Sequence, residues 1–195
     1  MTSAERLADR LLGCIETEIL PATEAAVAAG NKVFGAALLR ADNLETVLVG
    51  TNNEVACPLW HGEIHTIKLW HERLGGQPGP DALLFLSTHE PCSMCLSAIA
   101  WAGFPSFHYF FSHEDSRDAF AIPHDLRILS EVFGLAPGGY RRENAFWTGT
   151  AIADLIADTP DPAALQARAA AIRAAYDQLS ARYQSGKAAN TIPLR

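Results

Sequence analysis

Residues 83–101 read LLFLSTHEPCSMCLSAIAW, and this stretch decides the fold. Its first part, Leu83–Ser87, is a strand-length apolar run of the kind buried on both faces. Its second part, Cys92 to Trp101, has helical character, and Gly103 and Pro105 stop it. A strand therefore runs into a helix through Pro91 and a Cys-x-x-Cys pair.

Upstream, Val33–Leu39 and Thr46–Val49 are predicted strands joined by a turn at Ala41-Asp42-Asn43. A helix is expected from about Gly62 to Leu74, before the loop Gly75-Gly76-Gln77-Pro78-Gly79-Pro80. At the start of the chain, Leu7, Leu11, Cys14, Ile15 and Ile19 fall at helical spacing, and Pro21 is expected to break or restart that helix. A second helical stretch, Ala22 to Ala29, ends at Gly30-Asn31. Downstream, Phe107–Phe111 is a fourth strand. The order helix, strand, strand, helix, strand, helix, strand predicts helices packed on a mixed sheet.

Beyond it, Asp125–Phe133 reads as a helix and Pro137-Gly138-Gly139 as a turn. From Asp161 to Gln184 the chain is Ala-rich, with Leu165, Ala169, Ile172, Tyr176, Leu179 and Tyr183 along one stripe. That pattern predicts an amphipathic helix started by Asp161-Pro162, ended near Gly186 and packed on its own domain.

The 195 residues suit one domain with extensions, long enough to bury a core without disulfide staples. The net charge of −7 gives no overall attraction to nucleic acid. No apolar run approaches the roughly 18 residues of a membrane span, and Glu5, Arg6, Asp9 and Arg10 do not form a signal peptide. A cytoplasmic setting is expected, in which thiols stay reduced. Cys14 and Cys57 then read as isolated small hydrophobes, and the close pair Cys92 and Cys95 as metal or redox chemistry.

Two short motifs carry that chemistry: His61-Gly62-Glu63 and Pro91-Cys92-Ser93-Met94-Cys95. A Cys-x-x-Cys at a strand-to-helix junction also fits a thioredoxin-like redox centre, which leaves the first motif unexplained. Together they supply the His/Cys/Cys set of a zinc site that keeps one coordination position open. Cys92 and Cys95, three apart, can face one point from the first turn of a helix, where the N-terminus lowers thiol pKa. Residues two apart inside a helix point away from each other. His61 and Glu63 therefore share a site only if His61 sits at the helix entrance, with Gly62 giving backbone freedom. Two helix N-termini would then converge on the metal. A zincin reading through His61 and His65 fails, because Gly62 stands where that motif needs glutamate.

The combination H-x-E…P-C-x-x-C is the signature of zinc-dependent nucleobase deaminases. From about Gly30 to Phe111 the sequence resembles the cytidine deaminase-like superfamily. Asn31-Lys32-Val33-Phe34-Gly35-Ala36 looks like its N-x-P-F-G-A, with Val33 in place of proline, and Gly50-Thr51-Asn52 looks like its substrate-side G-x-N. His61-Gly62-Glu63-Ile64 is similar to the form in fungal cytosine deaminase. Thr88-His89-Glu90-Pro91-Cys92-Ser93-Met94-Cys95 is close to T-x-E-P-C-x-M-C, and Ser112–Ile122 loosely resembles bacterial guanine deaminases.

The resemblance implies a three-layer α/β/α sandwich, with a mixed central sheet, helices on both faces and an extra C-terminal helix. Residues 1–150 would form the deaminase domain and 151–195 a helical extension packed on it. It further implies one zinc ion per chain, with a bound water, held by His61, Cys92 and Cys95, and Glu63 as the catalytic proton shuttle. The implied enzyme is a hydrolase of cyclic-amidine C–N bonds. It would deaminate a small heterocycle, a free nucleobase (guanine or cytosine) or a nucleoside, and release ammonia. Asn52 is the implied base contact, and Phe34, Phe111, Phe146 and Trp147 are aromatics available for stacking. A homodimer is expected by analogy. Two other readings stand beside this one. A transfer-RNA adenosine deaminase is opposed by the acidic chain and the lack of a C-terminal basic cluster. A non-catalytic structural-zinc module would need a fourth ligand, from Cys57, His65 or His89, and has no use for Glu63.

Overall fold

Thr2 opens the first helix with a capping box, its hydroxyl accepting from the Glu5 N–H while the Glu5 carboxylate accepts from the Thr2 N–H. The structure, a computed structural model, describes residues 2–136 and 139–194. Helix α1 (Ser3–Cys14) passes through a π-helical turn (Ile15–Ile19) into α2 (Leu20–Ala28) without a gap. Pro21 thus does not break the run. It lies in the first turn of α2, after a segment already in the wider i→i+5 pattern, where a missing N–H costs little. Gly30, at φ 93°, ends the helix as the Gly30-Asn31 pair predicts.

Five strands follow: β1 (Gly35–Arg40), β2 (Thr46–Thr51), β3 (Leu83–His89), β4 (Ser106–Phe111) and β5 (Thr148–Ala151), in the spatial order β2-β1-β3-β4-β5. Strand β1 is antiparallel to β2 and β3, whereas β3, β4 and β5 run parallel. The expected mixed sheet is present. Strand β5 escaped the sequence reading because Thr148-Gly149-Thr150-Ala151 lacks large alternating residues. Its Gly149 is demanded by packing, since a Cβ there would stand 2.5 Å from Cζ of Phe107. The strand also runs across position 150, where the domain boundary was expected.

Period-two alternation along the strands separates two cores. Ala36, Leu38, Phe85 and Phe107 face α3 (Gly62–Leu74) and α4 (Ser93–Trp101), meeting Trp70, Leu96 and Ile99. Ala37, Leu39, Leu84 and Leu86 face the other way, toward α1, the π turn, α7 (Ile152–Ala157) and α8 (Ala163–Gly186), meeting Leu12, Ile19, Ile156 and Tyr176. The result is three layers, α/β/α. Two short helices, α5 (His113–Asp118) and α6 (His124–Phe133), follow β4.

In α8 the predicted stripe is buried at Leu165, Ile172, Tyr176, Leu179 and Tyr183. The helix begins after Pro162 with no side-chain cap from Asp161. Arg168 fastens it to the first helical run through Asp9 (2.5 Å) and Glu16 (2.6 Å). Of the expected turn at Pro137-Gly138-Gly139, the first two residues lie outside the described residues. Among the described residues, no helix is long and apolar enough to cross a membrane.

Candidate active site

Helices α3 and α4 start beside each other on one face of the sheet, and their first residues build the site. His61 is the N-cap of α3 and Cys92 the N-cap of α4, each in extended backbone with no side-chain cap bond. Their side chains are therefore free to turn toward one another. Nδ1 of His61 lies 3.5 Å from Sγ of Cys92. One ligand atom each from His61, Cys92 and Cys95 lies within 4.8 Å of the others. That separation fits donors around one ion at Zn–S of about 2.3 Å and Zn–N of about 2.0 Å. Among the described residues these are the only three His, Cys, Asp or Glu side chains so grouped. Cys57, His65 and His89, the possible fourth ligands, lie elsewhere. His65 is held by the Thr51 carbonyl (2.7 Å) and stacks on Trp60, and His89 is in the core.

Burial and proximity distribute protons unevenly among these thiols. The Cys92 thiol is held well below its ordinary range by its hydrogen bond from Cys95 and by His61. Burial and the neighbouring Cys92 charge push Cys95 well above it. A cation between the two sulfurs is what lets both ionise, so the donor set fits a divalent, thiophilic metal.

Glu63, in the first turn of α3 and buried, stands beside this triad. Its Oε2 accepts from Sγ of Cys95 (3.3 Å), and its Oε1 is 2.9 Å from the Ser87 hydroxyl of β3. Burial, then the charge of Cys92, raises its pKa. The glycine between His61 and Glu63 is helical rather than in the left-handed region. Its role is close approach: a Cβ at Gly62 would meet the backbone of Phe34 and Gly35 at 3.1 Å. This replaces the backbone freedom expected for it.

His61 and Cys92 of the triad line a cavity of about 240 Å³, with Cys95 buried behind them. Phe34, Pro58, Leu59, Ile122 and Ile128 give it apolar walls, and Pro193 and Leu194 close one side. Its polar lining includes Lys32, Glu54, His124 and Asp125, which the sequence reading did not single out. Burial, reinforced by the Cys92 charge, pushes the Asp125 carboxyl up to about 8. Lys32 and Glu54 form an ion pair at 3.0 Å with both side chains almost wholly buried. Burial alone would raise the Glu54 pKa, but His61, Lys32 and Asn52 outweigh it and hold the carboxylate below its ordinary range.

Of the residues expected at the substrate, Phe34 lines the cavity, 6.4 Å from the His61 ring. Asn52 is buried behind it, with Nδ2 donating to Oε2 of Glu54 (2.7 Å) and Oδ1 accepting from the Glu54 N–H (3.2 Å). Phe111 packs among His89, Phe120 and Tyr176 in the core under α8. Trp147 rests on Phe107 and Tyr140 in the opposite core, and Phe146 is exposed. The entrance to α4 is pinned from behind by Glu90, which accepts from the His113 N–H (3.0 Å) and the Tyr140 hydroxyl (2.5 Å).

Residues 15–111 match the family model described as the cytidine and deoxycytidylate deaminase zinc-binding region. The chain belongs to the cytidine deaminase-like superfamily. In agreement, it is 33% identical over 88 residues to a guanine deaminase of Bacillus subtilis, a match covering 44% of this chain and 54% of that one. The chain thus matches about half the length of this curated relative. Among solved structures, the guanine deaminase of Nitrosomonas europaea shares the fold with a TM-score of 0.52 at 24% identity, covering 82% of this chain and 81% of its own. A solved complex with 2,6-diaminopurine is likewise 24% identical, with a TM-score of 0.51 and coverage of 86% and 78%. Zinc is the metal of the family's region, and the triad described above suits it.

Proposed function

We propose that the protein is a hydrolytic deaminase of a free nucleobase, guanine before cytosine, with nucleosides next. The observation that carries this reading is Glu63 Oε2 within 3.3 Å of Cys95 Sγ, beside a His/Cys/Cys triad of which His61 and Cys92 line a small cavity. The similarity to guanine deaminases supports the choice of a purine. The side closed by Pro193 and Leu194 favours a small substrate over transfer RNA. All four cysteines are free thiols, which agrees with a cytoplasmic setting, and we take the functional unit to be a homodimer. Residues 1–150 would carry the chemistry, with 151–195 a helical extension packed on the same domain, of which Pro193 and Leu194 reach the cavity.

His61, Cys92 and Cys95 hold the zinc ion. When bound, zinc supplies Lewis acidity and brings the pKa of a water to about 7. The amino-bearing ring lies between Phe34 and the triad. Glu63 takes a proton from the attacking water and delivers it to the ring nitrogen, then takes the proton of the newly formed hydroxyl and passes it to the departing amine, so that ammonia leaves as the carbonyl forms. Ser87 holds the far oxygen of Glu63, which keeps Oε2 turned to the reacting atoms. Asp125, half-buried in the cavity lining, is placed to meet a polar group on the ring edge. The apolar walls exclude bulk water and strengthen each of these contacts.

The test is ammonia release by zinc-loaded protein from guanine, adenine, cytosine, their nucleosides and an anticodon stem-loop, with Glu63→Ala in parallel. Release from one free base, abolished in Glu63→Ala with zinc still bound, is the expected result. Release only from the RNA transfers the reading to transfer-RNA deamination. A Glu63→Ala protein that keeps most of its activity rules out the assigned shuttle.

A further inference from the structure

The Lys32–Glu54 pair is an unusual thing to find in the wall of a small cavity. Two opposite charges, both almost fully removed from water, cost desolvation energy that a hydrophobic pair of the same shape avoids. Its geometry relative to His61 gives it a use. Nδ1 of His61 is the nitrogen turned to the thiols, 3.5 Å from Cys92. A metal on Nδ1 leaves the ring hydrogen on Nε2. That nitrogen looks at Oε1 of Glu54, 3.6 Å away, slightly beyond hydrogen-bond length and within reach of a small ring rotation.

Glu54 itself is held from three sides. Lys32 Nζ donates to Oε1 (3.0 Å), Asn52 Nδ2 donates to Oε2 (2.7 Å), and the Glu54 N–H is taken by Oδ1 of Asn52 (3.2 Å). The carboxylate is thereby fixed in place before any ligand arrives. We infer that Glu54, clamped by Lys32 and Asn52, is a positioning residue that orients His61 through Nε2 and so sets the affinity of the metal site. Asn52 then acts on the site through Glu54, and Lys32 holds the same Oε1 that faces His61 Nε2. The inference rests on the reading of His61, Cys92 and Cys95 as zinc ligands.

Zinc affinity, measured by competition with a chromophoric chelator, tests it in the wild type, Glu54→Gln and the double variant Lys32→Met/Glu54→Gln. The visible spectrum of the cobalt-substituted proteins is recorded alongside. Loss of such an outer partner lowers metal affinity about 10- to 100-fold. That loss is expected in Glu54→Gln, with altered cobalt bands. The double variant removes both charges and leaves no buried ion unpaired, so it guards against simple misfolding of the single one. If the pair were only a structural salt bridge, the double variant would bind zinc as the wild type does, and the inference would be overturned. The same holds if Glu54→Gln alone keeps wild-type affinity. A wild type that binds no zinc overturns the metal reading itself, an outcome separate from either of these.

Discussion

Gly62 packs so closely on Gly35 that a Cβ at Gly62 would stand 3.1 Å from both the Cα and the N of Gly35. The first turn of α3 is thus seated directly on the start of β1, and His61 and Glu63 flank the contact. Alanine there gains up to about 1 kcal/mol of helix propensity but must push two backbones apart by a few tenths of an ångström. Gly62→Ala is expected to change stability by no more than about 1 kcal/mol and to lower kcat about tenfold, because misplacement of the order of 1 Å costs roughly 100-fold. Thermal melting and steady-state rates on the same preparation check both halves. Unchanged kcat would mean that α3 tolerates the shift.

Acid sensitivity should come from two buried histidines. Burial keeps His89 neutral down to about 3 and His108 down to about 4, against an ordinary value of 6.5. Below 6.5 the unfolded chain takes up protons that the folded chain refuses. Their contribution is therefore full above that pH and is lost as pH falls toward the folded values. At about 1.4 kcal/mol per pH unit for each, going to pH 5 removes about 4 kcal/mol. Urea midpoints at pH 7 and pH 5 should differ accordingly, and a His89→Phe/His108→Phe protein should show a flatter profile. A slope unchanged in the double variant would assign the acid loss to other groups.

The convergence of His61, Cys92 and Cys95 was legible because it depends only on short-range geometry: two helix starts, a three-residue spacing and a glycine. Strands β1, β3 and β4 were legible for a similar reason, since their apolar runs have strand length. Lys32 and Glu54 were not. Nothing in their spacing separates a buried ion pair from two solvated charges, and only the folding of β2 back along β1 brings them together. The aromatics fail differently. Phe111 and Trp147 carry the same apolar signature as Phe34, and which of them meets the cavity depends on where each strand ends against α8 or α4. Strand β5 was hidden by Gly149, whose reason for being there is the ring of Phe107 on the neighbouring strand.

Zinc should stabilise the fold, since its three donors come from two separate helices. At a free concentration 1,000-fold above Kd the gain is about 4 kcal/mol, or about 10 °C in Tm for a chain of this size. Chelation followed by melting should show that drop, and zinc should reverse it. Glu63→Ala should keep the shift and Cys95→Ser should lose it. Equal melting of Cys95→Ser with and without zinc, alongside a responsive wild type, is the pattern that identifies Cys95 as a ligand.

The segment that lines one side of the cavity is anchored by Ile192 and Asn190. Ile192 is 1% exposed, and its N–H is held by the Asn190 side chain (3.1 Å), whose amide also donates to the Gly30 carbonyl (3.2 Å). Pro193 and Leu194 then lie across the cavity. Burial of one isoleucine contributes about 2 kcal/mol, comparable to what keeps a short segment docked, and a carboxylate in its place removes that and adds a desolvation cost. Ile192→Asp should therefore release the segment while the two cores on either side of the sheet stay intact. The expected result is a Tm within a few degrees of the wild type, a KM for the free base raised about tenfold, and a smaller change in kcat, because the lost contacts hold substrate and transition state alike. A fall in kcat with KM unchanged would instead place the segment's effect on the chemical step, and a large drop in Tm would make Ile192 part of the core.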